Sequence, residues 1–80
     1  MPQLTVYYRP YCHLCHDLIH RLKTLVGDAC PIRTVDIDTD PVLEARFGEW
    51  VPVLIDHDNN EICHYFLDEA KLADYLNKIR

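Results

Sequence analysis

The spacing of apolar residues changes several times along this 80-residue chain, and each change marks an element. Leu4-Thr5-Val6-Tyr7-Tyr8 is β-branched and aromatic and predicts a strand, broken by Arg9-Pro10-Tyr11. Cys15, Leu18, Ile19, Leu22, Leu25 and Val26 then recur at helical spacing, which predicts a helix from about Cys12 to Val26 with Gly27 as its C-terminal cap. Alternation returns over Ile32–Ile37 as a second strand. Asp40-Pro41 places a capping carboxylate before a proline at the first helical position, opening a short helix to about Phe47 that Gly48 ends. Val51-Pro52-Val53-Leu54-Ile55 predicts a third strand, too apolar to be exposed on both faces. Asp58-Asn59-Asn60 predicts a hairpin turn into a fourth strand, about Glu61 to Tyr65. Asp68 caps a last helix carrying Ala70, Leu72, Ala73, Leu76 and Ile79.

The element order is thus β-α-β-α-β-β-α. A right-handed β-α-β crossover makes the first two strands parallel. The closing hairpin adds antiparallel strands, so the expected fold is α/β, a mixed four-stranded sheet flanked by helices. With no repeat, linker or low-complexity stretch, residues 1–80 read as one domain.

Composition narrows the function. The formal net charge is −5, and no basic stripe is present to neutralise phosphates or meet an anionic membrane, so no nucleic-acid or membrane partner is expected. No apolar run has the length of a membrane span, and Met1-Pro2-Gln3 lacks the basic and apolar regions of a signal peptide. The expected compartment is the cytoplasm, where four cysteines point to redox or metal chemistry rather than to structural disulfides.

Cys12-His13-Leu14-Cys15 carries the candidate chemistry. It sits where a strand turns into a helix, and a helix N-terminus presents unpaired N–H groups and partial positive charge that favour a thiolate, the reactive form of cysteine. Cys12 is therefore the candidate nucleophile. Cys15, on the apolar face with Leu18 and Leu22, is the candidate resolving thiol, and the same position suits a packed cysteine. His13, His16 and His20 lie on one side of the helix; a protonated His13 would favour the thiolate, while His16 and His20 read as a solvated face. Arg9 is a candidate to hold a substrate carboxylate or favour the thiolate, and a solvated loop arginine fits its position equally well. Tyr11 and Trp50 are candidates for an apolar rim, with Trp50 packed into the core as the second reading. Cys30 and Cys63 read as packed cysteines.

These residues, in this order, resemble the glutaredoxin branch of the thioredoxin superfamily, especially small bacterial glutaredoxin-like proteins. The likeness rests on Cys12-x-x-Cys15 after the first strand, Arg9-Pro10 before it, Val51-Pro52 at the third strand and Asp68 at the last helix. It implies a thioredoxin-like fold, a cis Pro52 facing the cysteines, and substrate contacts from Arg9, Tyr11, Val51, Pro52 and Asp68. It also implies a dithiol–disulfide oxidoreductase with no bound metal or prosthetic group. The implied partners are a protein or small-molecule disulfide, and glutathione or a reductase as electron donor; a monomer is expected. The chain departs from the family at three places: His13-Leu14 stands for Pro-Tyr, Trp50 replaces the threonine before Val-Pro, and His64-Tyr65-Phe66-Leu67 replaces the glycine pair that lets backbone approach glutathione.

Cys12-x-x-Cys15-His16 also has the form of a c-type haem attachment motif, but Met1 is its single methionine candidate and the strand–helix alternation suits a sheet. A zinc site lacks a second ligand pair with knuckle spacing, because Cys63 and His64 are adjacent in a strand and point to opposite faces. An iron–sulfur cluster shared between two chains, or a non-catalytic binding module of the same fold, is a further reading of the paired cysteines. Asp36-x-Asp38-x-Asp40 begins like a calcium loop, but Pro41 and Phe47 stand where glycine and glutamate are required.

Overall fold

The computed structural model describes residues 3–79; Met1, the methionine candidate for a haem ligand, lies outside them. Strand β1 (Leu4–Tyr8) is central: Leu4 and Val6 are fully buried on one face, while Tyr7 on the other stacks on Phe47 with ring centroids 4.3 Å apart. β1 pairs in parallel with β2 (Ile32–Asp36) and antiparallel with β3 (Val53–Ile55), which pairs antiparallel with β4 (Glu61–His64). The order β2-β1-β3-β4 is the expected mixed four-stranded sheet.

Helices α1 (His13–Val26) and α3 (Glu69–Lys78) cover one face and α2 (Pro41–Phe47) the other. Leu18, Leu22 and Val26 of α1 meet Val6 and Leu54 of the sheet and Leu72, Tyr75 and Leu76 of α3 in one cluster, which also takes in Cys30 and Cys63. Each fully buried aliphatic side chain there stabilises the fold by about 1.5–3 kcal/mol. Leu25 is partly exposed, Ala70 and Ala73 are exposed, and Tyr75 takes the core place that spacing alone did not assign.

Aspartates set the helix starts. Asp40 Oδ1 accepts the Val42 N–H at 2.9 Å and Asp68 Oδ1 accepts the Lys71 N–H at 3.1 Å. Asp36 caps a 3₁₀ turn over Ile37–Thr39, so β2 stops one residue short of the predicted Ile37, which is buried. β3 begins at Val53, not Val51, because Pro52 has no N–H to give the ladder; the Val51–Pro52 bond is cis. β4 stops at His64, since Tyr65 turns to φ +63°. Among the described residues no helix is long and apolar enough to cross a membrane.

The register gathers one end of the sheet. Tyr7 faces Val53, and Val53 faces His64. The turn after β1, the Val51–Pro52 bond before β3 and the Tyr65–Leu67 segment after β4 therefore share the edge from which α1 departs.

Candidate active site

Cys12 is the N-cap of α1. Its backbone is extended there, its N–H donates to Arg9 O at 3.1 Å, and its carbonyl accepts the His16 N–H at 3.1 Å. The Cys12 Sγ accepts the Cys15 N–H at 3.2 Å, so the sulfur occupies the place that a capping oxygen fills in α2 and α3. Cys12 is half-buried and Cys15 fully buried; all four cysteines stand as free thiols.

Burial pushes the Cys15 thiol up to about 12. The Cys12 sulfur adds to this, first as hydrogen-bond partner and then as a neighbouring charge, while the Arg9 backbone and guanidinium pull the other way. Burial also raises Cys30 and Cys63 above the ordinary thiol value.

Arg9 is held inside the protein's own network. Its Nη1 donates to Tyr11 Oη at 3.0 Å and to Asp38 Oδ1 at 3.1 Å, and its Nη2 donates to Gly48 O at 3.5 Å. Arg9 thus ties the turn before Cys12 to the 3₁₀ turn and to the end of α2. A Cβ at Gly48 would fall 2.5 Å from Glu44 O and 2.7 Å from Arg9 Nη2, so this junction requires glycine. His16 Nε2–H donates to Pro10 O at 2.5 Å, bracing the same turn from α1. His13 and His20 are exposed.

On the far side, Pro52 is fully buried, and its carbonyl accepts the Tyr65 N–H at 2.9 Å. Tyr65 Oη–H donates to Glu49 O at 2.9 Å. Trp50 is not in the core: it is 46% exposed and packs against His64 and Tyr65, with centroids 5.4 and 6.0 Å away. Tyr11 is also exposed, and Val51 is partly exposed. Asp68 is engaged as the cap of α3. Among the described residues, no three His, Cys, Asp or Glu side chains converge as a metal ion requires.

The structure thus brings Arg9, Tyr11, Cys12, His13 and Cys15 to the start of α1, with Val51 and Pro52 at the same edge of the sheet. Asp38, Gly48 and Leu14 belong to this neighbourhood, and none of them is given a role in the site by the sequence alone. Asp38 is 29 positions from Arg9 along the chain, and no local pattern links them.

A family model described as a glutaredoxin-like domain (DUF836) matches residues 3–77. The chain belongs to that family. Among solved structures, this glutaredoxin-like domain is similar to protein Ne2328 from Nitrosomonas europaea, with 34% identity, 92% of this chain and 89% of that chain covered, and a TM-score of 0.81. It is similar to protein XcR50 from X. campestris at 33% identity, covering 94% and 96%, with a TM-score of 0.72. Fasciola hepatica thioredoxin shares the fold alone: 15% identity, 99% and 81% coverage, TM-score 0.68. No curated protein matches the chain. Both the family and the fold support a redox-type function for the domain.

Proposed function

We propose that this glutaredoxin-like domain is a dithiol–disulfide oxidoreductase working through Cys12 and Cys15. The observation that carries the reading is the Cys12 Sγ at the start of α1, half-buried, accepting the amide N–H of a buried second cysteine. Two sulfurs so placed can form one ring.

The Cys12 thiolate attacks a substrate disulfide; a Cys12–substrate S–S bond forms, the substrate S–S bond breaks, and the leaving thiolate takes a proton from water. Cys15 then loses its proton and attacks Cys12 Sγ. The Cys12–Cys15 bond forms, and the second substrate sulfur leaves as a thiol. The net change is two protein thiols and one disulfide converted into one protein disulfide and two thiols.

Cys15 is suited to act second. Once Cys12 is in a mixed disulfide, its sulfur no longer offers the charge that helped hold the Cys15 proton. Burial still holds that proton, so Cys15 is suited to act after Cys12 and not before it. Glutathione or a partner reductase restores the dithiol. Tyr11 and the Val51 backbone offer contacts to an extended substrate, and Arg9 supports the turn that carries Cys12. His13, the first residue of α1, lies beside the nucleophile.

The test is a redox titration in mixed reduced and oxidised glutathione, read by intact mass after acid quenching. The expected result is reversible loss of two hydrogens mapped to Cys12 and Cys15, with a transient adduct on Cys12 that Cys15→Ser makes permanent. A pair that never closes overturns the proposal. Closure with no adduct assigns the donor role to a protein.

A further inference from the structure

Beside the cysteines lies a hollow of about 200 Å³ between α1 and the segment before α3. Leu14 and Leu18 form one wall, and Tyr65, Phe66 and Leu67 form the other. Leu14 lies between the two cysteines in sequence, which puts one wall of the hollow in the first turn of α1, the helix that Cys12 caps. Phe66 is 70% exposed, and Leu14 and Tyr65 are also open to solvent. Three apolar side chains are thus left open to solvent around one hollow.

The Tyr65 part of the wall is set before anything binds. Tyr65 sits at φ +63°, a region a bulky residue adopts only when its surroundings hold it there, and both ends are held: N–H to Pro52 O and Oη–H to Glu49 O, each 2.9 Å. A preformed wall loses little freedom on binding.

Size and charge select the occupant. The volume is below the range of about 300–1,000 Å³ that takes a whole small molecule. Arg21, the cation on this rim, is engaged by both oxygens of Glu69 at 3.2 Å, whereas Asp17 has no cationic partner within salt-bridge distance among the described residues. Glutathione carries two carboxylates against one ammonium, and among the described residues this rim offers those carboxylates no unengaged cation. A single apolar side chain followed by a basic one fits both the lining and Asp17.

We infer that this hollow is a specificity subsite: Leu14, Tyr65 and Phe66 take an apolar side chain next to the half-cystine of a polypeptide substrate, and Asp17 takes a neighbouring Lys or Arg. The inference rests on the proposed exchange activity and assigns it a substrate class, a polypeptide disulfide with an apolar-basic flank.

The experiment compares kcat/KM for two cystine-linked peptides, one with Leu-Arg beside its cysteine and one with Ser-Ser. Bis(2-hydroxyethyl) disulfide, too small to reach the hollow, reports exchange by itself. The wild type should favour the Leu-Arg peptide by about tenfold or more, the discrimination an apolar pocket provides. Phe66→Ser should bring that ratio to within about twofold of unity. Asp17→Asn should lower it by about threefold, and only at low salt, as a rim charge does. Val42→Ala, on exposed α2 outside the site, should leave the ratio unchanged. Equal rates for the two peptides, or a preference that survives Phe66→Ser, overturn the subsite while leaving exchange of the small disulfide in place. Inertness toward all three disulfides overturns the exchange reading and the subsite with it.

Discussion

Four cysteines occupy two kinds of place in this domain. Cys12 stands at a helix start, half-buried, its sulfur taking an amide hydrogen that a capping oxygen takes elsewhere. Cys30 and Cys63 lie in the main core among Leu4, Leu54 and Tyr75, where burial pushes their thiols up. Cys15 joins the two regions: it is as buried as the core thiols and one hydrogen bond from the half-buried one. Surroundings, and not residue type, separate a reactive sulfur from a packed one.

Exchange activity is the sharpest way to break this contrast. Cys12→Ser should lower turnover of a disulfide substrate by on the order of a thousandfold or more, because a hydroxyl at this position stays protonated and is a poor nucleophile. Cys63→Ala should leave turnover within about twofold while lowering stability by about 1 kcal/mol, the loss expected for a sulfur removed from a packed site. Urea unfolding and a disulfide-reduction assay on the same preparations separate the two effects. Comparable losses of turnover in both variants would erase the distinction.

Alkaline titration tests the buried side of the comparison. The sign follows from the raised thiols. Cys15 is raised from 9.0 to about 12, and Cys30, Cys63 and Tyr75 are also raised, each by burial first. The native state keeps these protons where the unfolded chain has lost them. The stability they contribute is complete below about pH 9 and is lost as pH rises toward 12. The slope is about 1.4 kcal/mol per pH unit for each group that must stay protonated. The urea midpoint should hold steady to about pH 8.5 and fall above about 9, more gently in Cys15→Ala. A midpoint flat to about pH 11 would contradict the burial argument.

Much of this was legible in the chain. The order of elements along the chain, the helix caps and the place of Cys12-x-x-Cys15 follow from local periodicity and capping chemistry, which depend on near neighbours in sequence. Leu18, Leu22, Leu72 and Leu76 were legible as core for the same reason. What was not legible depends on distant groups. Arg9 looks solvated or substrate-facing until Asp38 and the Gly48 carbonyl are brought to it. Trp50 has the composition of a core residue, but its neighbours His64 and Tyr65 lie at the exposed sheet end. The φ of Tyr65 has no local signal, because the bonds that hold it come from Glu49 and Pro52.

The smallest expected effect concerns Asp68, a substrate contact by family likeness and a helix cap by geometry. Asp68→Ala removes the acceptor for the Lys71 N–H and should lower stability by about 1 kcal/mol. Asp68→Ser keeps a capping oxygen and removes the carboxylate, so its stability should lie within a few tenths of a kcal/mol of wild type. Comparing kcat/KM in the Ser variant then isolates any contribution of the charge to substrate binding. An unchanged value leaves the carboxylate with capping as its sole role. A selective loss for substrates that carry an ammonium group gives it a second one, and in that case the edge that holds Cys12 extends across the sheet to the start of α3.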